Sequence, residues 1–184
     1  MENEIRIRII VIGDVFTGKT TFLKYLNNEN LEKYEYEMYQ MTYNPSVLTK
    51  KFIYKNRIFL IDIFDTPGLE KFRRSLRLIM KDSGVILFFY NSLDKESFEI
   101  VNDFLNMSKE YCNNTPIFVL ICNKYELNMD KKAKNIIKDE EVLRFAEENK
   151  LLFSHLSIFD KYENGINELF TKIFDKYIEN MTNI

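Results

Sequence analysis

The sequence predicts an α/β domain with a six-stranded, mostly parallel sheet that helices cover on both faces. Strand-like and helix-like patterns alternate along all 184 residues. Several strand patterns are continuously apolar, as in residues 85–90, and such strands are typical of parallel sheets buried on both sides. Two strand patterns joined by the short turn Lys55-Asn56 predict one antiparallel edge. Since no repeat or linker interrupts the pattern, a single domain spanning 1–184 is expected.

Local signals define each element. The first strand, 5–12, is a β-branched run in which Arg6 and Arg8 point outward, and it ends at Gly13. A Gly-rich turn then opens a helix over 19–26. The tyrosine-rich stretch 29–44 has no period and predicts a long loop, of a length that is usually functional or mobile. The later predicted elements are strands 47–54 and 57–64, helix 71–81, strand 85–90, helix 95–111, strand 116–122, a basic loop at 128–138, helix 139–149, strand 151–158 and helix 163–177.

Composition restricts the class of protein. Twenty-six basic and 28 acidic residues give a net charge of −2, which argues against nonspecific binding to nucleic acid. The apolar runs are far shorter than the roughly 18 residues that a membrane helix needs. The acidic N-terminus does not have the layout of a signal peptide. Cys112 and Cys122 form neither a disulfide framework nor a metal-ligand pattern, so buried free thiols in a cytoplasmic protein are expected.

A phosphate-binding pattern follows the first strand. Gly13, Gly18, Lys19 and Thr20 fill the pattern G-x-x-x-x-G-K-S/T between a strand and a helix. Such a loop aims backbone N–H groups at a phosphate, and the helix N-terminus adds partial positive charge. Lys19 is expected to reach the β- and γ-phosphates of a nucleotide, and the Thr20 hydroxyl to coordinate Mg²⁺. The predicted loop consists of Gly13, Asp14, Val15, Phe16, Thr17, Gly18, Lys19, Thr20 and Thr21.

Two further motifs follow predicted strands. Asp65 ends the third strand and is a predicted Mg²⁺ ligand, and Gly68 can bring its backbone N–H close to a γ-phosphate. Asn123 and Glu126 follow the strand that ends at Cys122. A carboxylate there can accept from the adjacent ring N–H and amino group that guanine offers and adenine does not. The pattern therefore favours guanine, although an ordinary polar turn would have the same residues.

At these residues the chain resembles the Ras superfamily of small GTPases, and the Rab-like branch most closely. The shared segments are Gly13-Asp14, Asp65-Thr-Pro-Gly-Leu-Glu-Lys-Phe-Arg, the stretch 90–98, and Asn123-Lys124. The resemblance implies a P-loop GTPase domain that binds GTP or GDP with Mg²⁺. It also implies a molecular switch, in which GTP orders two loops and releases them after hydrolysis. Effector and regulatory proteins would read the difference through the segments 34–46 and 66–80.

The resemblance assigns further roles. Thr42 is the implied switch threonine, a ligand of Mg²⁺ and a contact of the γ-phosphate. Either Tyr34 or Tyr36 stacks on the base; the choice stays open because the stretch from Thr20 to Thr42 is longer than usual. Lys124 belongs to the base-binding motif. Ser157 aligns with a base-contacting serine, but an ordinary serine at the end of a strand is an equally good interpretation.

Two departures from the family pattern predict slow hydrolysis, and a third affects the binding of guanine. Leu69 replaces the water-orienting Gln, and an apolar side chain can neither donate to nor accept from an attacking water. Val15 and Phe16 occupy positions where small residues are usual, so they crowd the γ-phosphate. Glu126 replaces Asp with a side chain one methylene longer, which weakens the grip on guanine. The positions implied in catalysis are Lys19, Thr42, Gly68 and Leu69.

Several functions stay open from the sequence. A GTP/GDP switch with slow turnover is favoured, and a nucleotide-binding module or scaffold with negligible turnover is the alternative. A P-loop kinase or ATPase is disfavoured, because the motifs at 65–68 and 123–126 follow the GTPase order. The C-terminal residues 177–184 include no cysteine, so a prenyl anchor is not expected in the chain as given and any membrane contact would be peripheral.

Overall fold

A computed structural model of the chain describes residues 4–28, 46–66, 73–123, 137–158 and 165–182. Six strands and five helices lie within these ranges. The strands are β1 (Glu4–Gly13), β2 (Ser46–Tyr54), β3 (Arg57–Asp65), β4 (Val85–Asn91), β5 (Ile117–Asn123) and β6 (Leu152–Leu156). The helices are α1 (Lys19–Leu26), α2 (Arg73–Met80), α3 (Lys95–Tyr111), α4 (Asp139–Glu148) and α5 (Ile166–Thr182).

The six strands form one sheet in the order β2-β3-β1-β4-β5-β6. β1 pairs in parallel with both β3 and β4, whereas β2 runs antiparallel to β3. At the hairpin turn, Lys55 and Asn56 both have positive φ, 48° and 58°, as tight hairpins require. The predicted mostly parallel sheet with one antiparallel edge strand is therefore confirmed.

Helices pack on both faces of the sheet. On one face, Phe22 of α1 and Phe170 and Phe174 of α5 belong to the core. On the other face, side chains of α2, α3 and α4 form a second core, with Val101 of α3 fully buried. The residues of β4 up to Tyr90 are buried on both sides, which explains why the sequence there is continuously apolar.

Element ends differ from the predictions in places. The last helix was expected over 163–177, but it begins at Ile166, after the left-handed Gly165, and continues to Thr182. β6 is shorter than the predicted 151–158 because only 152–156 pairs with β5. Cys122 is buried as expected, whereas Cys112 is only half-buried at the end of α3.

Arg6 and Arg8 lie on the face of β1 where Ile10 and Ile12, further along the strand, meet the second core. Each of these arginines contacts a side chain of the neighbouring strand β3, although Arg6 is largely exposed. Arg6 Nε donates to Asp62 at 2.7 Å, and the Arg8 guanidinium lies 4.8 Å from the centre of the Phe64 ring. No helix in the described ranges is both long and apolar enough to cross a membrane.

An aromatic contact between β3 and α5 generates a stability prediction. Phe59 is fully buried and stacks on Phe174 with ring centres 4.3 Å apart. We expect Phe59→Ala to lower the free energy of unfolding by about 3–5 kcal/mol, since it leaves a cavity in a packed core. Ile53→Ala in the same hairpin is the control, because Ile53 is 77% exposed; it should change stability by less than about 0.5 kcal/mol. Urea unfolding of both variants, followed by far-UV circular dichroism, checks the difference, and equal losses would contradict it.

Candidate nucleotide-binding site

The candidate site lies where the parallel strands end. β1, β3, β5 and β6 all point their carboxyl ends to the same edge of the sheet. α1, which follows β1, packs on one face, while α3, which follows β4, packs on the other. A crevice opens at such a switch point between neighbouring strands, and ligands of α/β proteins bind there. The predicted phosphate loop, Asp65, Asn123 and Ser157 are all placed at this edge.

Two glycines allow the phosphate loop to pack closely. A Cβ on Gly13 would overlap with the carbonyl oxygen of Phe89 in β4. Gly18 has a left-handed backbone, φ +92°, and a Cβ there would overlap with the side-chain amide nitrogen of Asn123. Gly18 is also the residue immediately before α1, so the loop ends in the N-terminus of a helix. The glycine spacing of the motif is therefore a packing requirement at both ends of the loop.

The side chain of Lys19 reaches back from the start of α1 into the phosphate loop. Its side chain is buried, and Nζ donates to the carbonyl oxygens of Gly13 and Asp14 at 2.9 and 2.5 Å. Burial lowers the pKa of Lys19 to about 8, although the negative charges of Asp65 and Asp14 act in the opposite direction. The backbone thus wraps around an ammonium group, whose positive charge is suited to phosphate oxygens.

Asp65 and Thr20 form the second part of the site. The Thr20 hydroxyl donates to Asp65 Oδ2 at 2.7 Å, across 45 residues of sequence. Asp65 Oδ1 is buried and has no hydrogen-bond partner among the described residues. Burial raises the pKa of the Asp65 carboxyl, against the hydrogen bond from Thr20 and the charge of Lys19. A carboxylate with a spare oxygen beside a hydroxyl is a donor set that fits Mg²⁺.

Asn123 connects the end of β5 to the phosphate loop. Its Nδ2 donates to the Thr17 carbonyl oxygen at 2.8 Å, and the side chain is buried. The sequence motif predicted a contact with the base for this residue, and the bond to the loop was not predicted. Ser157 follows β6, whose Leu156 pairs with Asn123, and it is nearly buried. The two residues therefore lie at adjacent strand ends.

Between its two glycines, the phosphate loop has an unusual backbone at Phe16. Phe16 has φ 60° and its side chain is 42% exposed, and a left-handed conformation is an outlier for a bulky residue. Asp14 Oδ1 accepts from the Val15 N–H at 2.7 Å, and the Thr17 hydroxyl donates to the Asp14 carbonyl oxygen at 2.9 Å. These bonds stabilise the turn that presents Phe16. Thr21 lies half-buried in the first turn of α1.

Other predicted site residues fall outside the described ranges. These are Tyr34, Tyr36, Thr42, Gly68, Leu69, Lys124 and Glu126. Residues 34–45 and 67–72 of the two predicted partner segments also fall outside them. The described part of the site therefore consists of the phosphate loop, Thr20, Asp65, Asn123 and Ser157.

The contact between Gly18 and Asn123 generates a prediction. Gly18→Ala should lower the free energy of unfolding by about 1–3 kcal/mol, because it combines left-handed strain with a clash at the Asn123 amide. Gly84→Ala is the matched control: its Cβ would meet a side-chain methyl of Ile7 at 3.2 Å, and its backbone is not left-handed. Thermal unfolding of both variants tests this. A larger loss in the Gly84 variant would contradict the packing role of Gly18.

Comparison with known proteins agrees with this geometry. The model of the Ras family matches residues 8–179. A probable Rab-related GTPase of Acanthamoeba polyphaga mimivirus is 26% identical over 174 residues, which cover 94% of this chain and 76% of that protein. Ras-related protein Rab-11C of Dictyostelium discoideum is 26% identical over 173 residues, which cover 94% of this chain and 72% of that protein. Ras-related protein Rab-21 of Mus musculus is 25% identical over 173 residues, which cover 94% of this chain and 73% of that protein. Because the family match spans nearly the whole sequence, the chain belongs to the Ras family and is a Rab-like small GTPase.

Proposed function

We propose that this protein is a GTP/GDP switch whose own hydrolysis of GTP is slow. The observation that carries the proposal is the arrangement of the buried Lys19 and Asp65 with the half-buried Thr20, beside the N-terminus of α1. A buried ammonium beside a hydroxyl–carboxylate pair matches a ligand that has both phosphate groups and a divalent cation. Family membership supports guanine nucleotide as that ligand.

Each of these residues has a role in the proposed site. Lys19 would neutralise phosphate charge, with its position fixed by the carbonyl oxygens of Gly13 and Asp14. Thr20 and Asp65 would hold Mg²⁺, and Thr42, in the segment 34–46, is the third proposed ligand. When bound, Mg²⁺ would supply neutralisation of the phosphate charge. Asn123, Lys124, Glu126 and Ser157 are the proposed base-binding residues, with Tyr34 or Tyr36 stacking on the ring.

Slow turnover follows from residues that replace the water-orienting apparatus. Leu69 follows the Asp65–Gly68 motif directly, where the family has a Gln that orients the attacking water. The leucine side chain has no polar atom for this purpose. Val15 and Phe16 add bulk to the loop beside the proposed γ-phosphate position. Binding would therefore be retained while hydrolysis is impaired.

Restoring the missing amide tests this proposal. Leu69→Gln should accelerate single-turnover hydrolysis at least about tenfold, because the amide can orient the nucleophilic water. The measurement follows phosphate release from protein preloaded with GTP, after addition of Mg²⁺. Leu69→Ala is the control, since it removes bulk without supplying a polar group. An equal acceleration in both variants would indicate relief of crowding, and no acceleration in the Gln variant would contradict the proposed cause.

A nucleotide-binding module without turnover is the second candidate, and Leu69 favours it as well. The same assay on the unaltered protein distinguishes the two. Hydrolysis no faster than that of free GTP would favour the module. The nucleotide that co-purifies with the protein, identified by liquid chromatography, is a separate check. Bound ATP would refute the guanine-nucleotide proposal for both candidates.

The base-binding motif gives a second prediction. Glu126→Asp should tighten GDP binding by about 1–3 kcal/mol, because the shorter carboxylate reaches the ring N–H and amino group without displacing the backbone. Competition between GDP and IDP measures the effect, since inosine has no exocyclic amino group. Glu140→Asp on the exposed surface of α4 is the control and should change nothing. Unchanged GDP affinity in the Glu126 variant would contradict the prediction, and unchanged discrimination would indicate that the carboxylate does not contact the exocyclic amino group.

Effector and regulatory proteins are the proposed partners, through the segments 34–46 and 66–80. We base this on family membership and on the position of Asp65, which directly precedes the second segment. Any contact with a membrane is proposed to be peripheral.

A further inference from the structure

Thr66 has a buried hydroxyl group that the proposed chemistry does not use. The residue follows β3 directly and is 1% exposed. Its Oγ1 donates to the carbonyl oxygen of Val11 at 2.6 Å. Val11 lies opposite Asp65 in the last of the eight paired positions between β1 and β3. This hydrogen bond therefore attaches the chain to β1 at the point where the pairing between β1 and β3 ends.

This hydrogen bond and the one between Thr20 and Asp65 both join the phosphate-loop region to the end of β3, beside the proposed metal site. Val11 lies two residues before Gly13, where the phosphate loop opens, and Thr20 lies at the other end of that loop. Thr20 donates to Asp65 Oδ2, and Asp65 is bonded in sequence to Thr66. The separation between Asp65 and Thr20 consequently depends on how firmly the end of β3 is held against β1. The hydrogen bond of the Thr66 hydroxyl attaches the end of β3 to β1 beyond the last paired residues.

We propose that Thr66 is a positioning residue, whose hydroxyl keeps the Asp65 carboxylate at the distance from Thr20 that Mg²⁺ binding needs. The inference rests on the proposed function, since it concerns the same metal site. Thr66 itself does not contact the metal or the nucleotide. It acts through Asp65, because the Val11 bond limits the movement of the backbone that carries the carboxylate. The hydroxyl, rather than the buried volume of the side chain, is the group that matters.

The test compares two variants that separate the hydroxyl from the volume. Thr66→Val retains the shape and removes the donor, whereas Thr66→Ser retains the donor and removes a methyl group. The measurement is the release of a fluorescent GDP analogue from the full chain at graded free Mg²⁺ concentrations and in excess EDTA. Thr66→Val should raise the Mg²⁺ concentration for half-maximal retention at least about threefold. Thr66→Ser should stay within about twofold of the unaltered protein.

Release in EDTA identifies the site of the effect. If Thr66 acts on the metal carboxylate, release without Mg²⁺ should be the same in all three proteins. Equal acceleration with and without Mg²⁺, or an Mg²⁺ dependence unchanged in Thr66→Val, would overturn the inference. If Thr66→Val does not fold, Thr66→Cys repeats the test, because it retains a side chain of similar size with only a weak S–H donor. The inference would also be overturned if the Cys variant and the unaltered protein retained the GDP analogue with the same Mg²⁺ dependence.

A distant hydroxyl provides the structural control. Ser108 is fully buried in α3 and donates to the Phe104 carbonyl oxygen at 2.7 Å. Ser108→Ala should lower the melting temperature without changing the Mg²⁺ dependence of release. A shift like that of Thr66→Val would show that general loss of stability is the cause. Release that is insensitive to Mg²⁺ in the unaltered protein would instead refute the proposed function, so the two failures are distinguishable.

Discussion

The buried hydrogen bond from Asn123 Nδ2 to the Thr17 carbonyl oxygen holds the site together. It spans 106 residues of sequence and joins the end of β5 to the phosphate loop. The same amide packs against Gly18, which has the left-handed backbone immediately before α1. Since Gly18 leads into the first turn of α1, this contact lies directly at the helix N-terminus. The two ends of the proposed nucleotide site are thereby fixed relative to each other through one side chain.

Burial acts against both charges of the phosphate site. It lowers the pKa of Lys19 to about 8 and raises the pKa of the Asp65 carboxyl, and each charge partly offsets the effect on the other. Such a pair is costly to bury unless further partners are present. Phosphate groups and a divalent cation would supply those partners at once. A nucleotide complexed with Mg²⁺ is therefore expected to add to the stability of the fold, by binding only the folded state.

Local patterns in the sequence were enough to predict the architecture. The limits of α3 and α1 were predicted correctly, and the apolar run in β4 indicated a strand buried on both faces. The motif spacing brought Thr20 and Asp65 to the same site, where they form a hydrogen bond. The bonds from Asn123 to Thr17 and from Thr66 to Val11 were not predicted. They join residues distant in sequence, and their existence depends on strand order and register, which no periodicity in the sequence reveals.

Nucleotide binding and turnover depend on different kinds of contact. The residues proposed to neutralise phosphate, Lys19, Thr20 and Asp65, are held by hydrogen bonds within the folded core. Orientation of an attacking water needs a polar side chain near the γ-phosphate, which is a separate requirement from the hydrogen bonds of these three residues. Under the proposed function, Leu69 in place of an amide therefore affects hydrolysis and not the bonds of Lys19, Thr20 and Asp65. This separation is the physical reason for proposing a protein that retains its nucleotide well and hydrolyses it slowly.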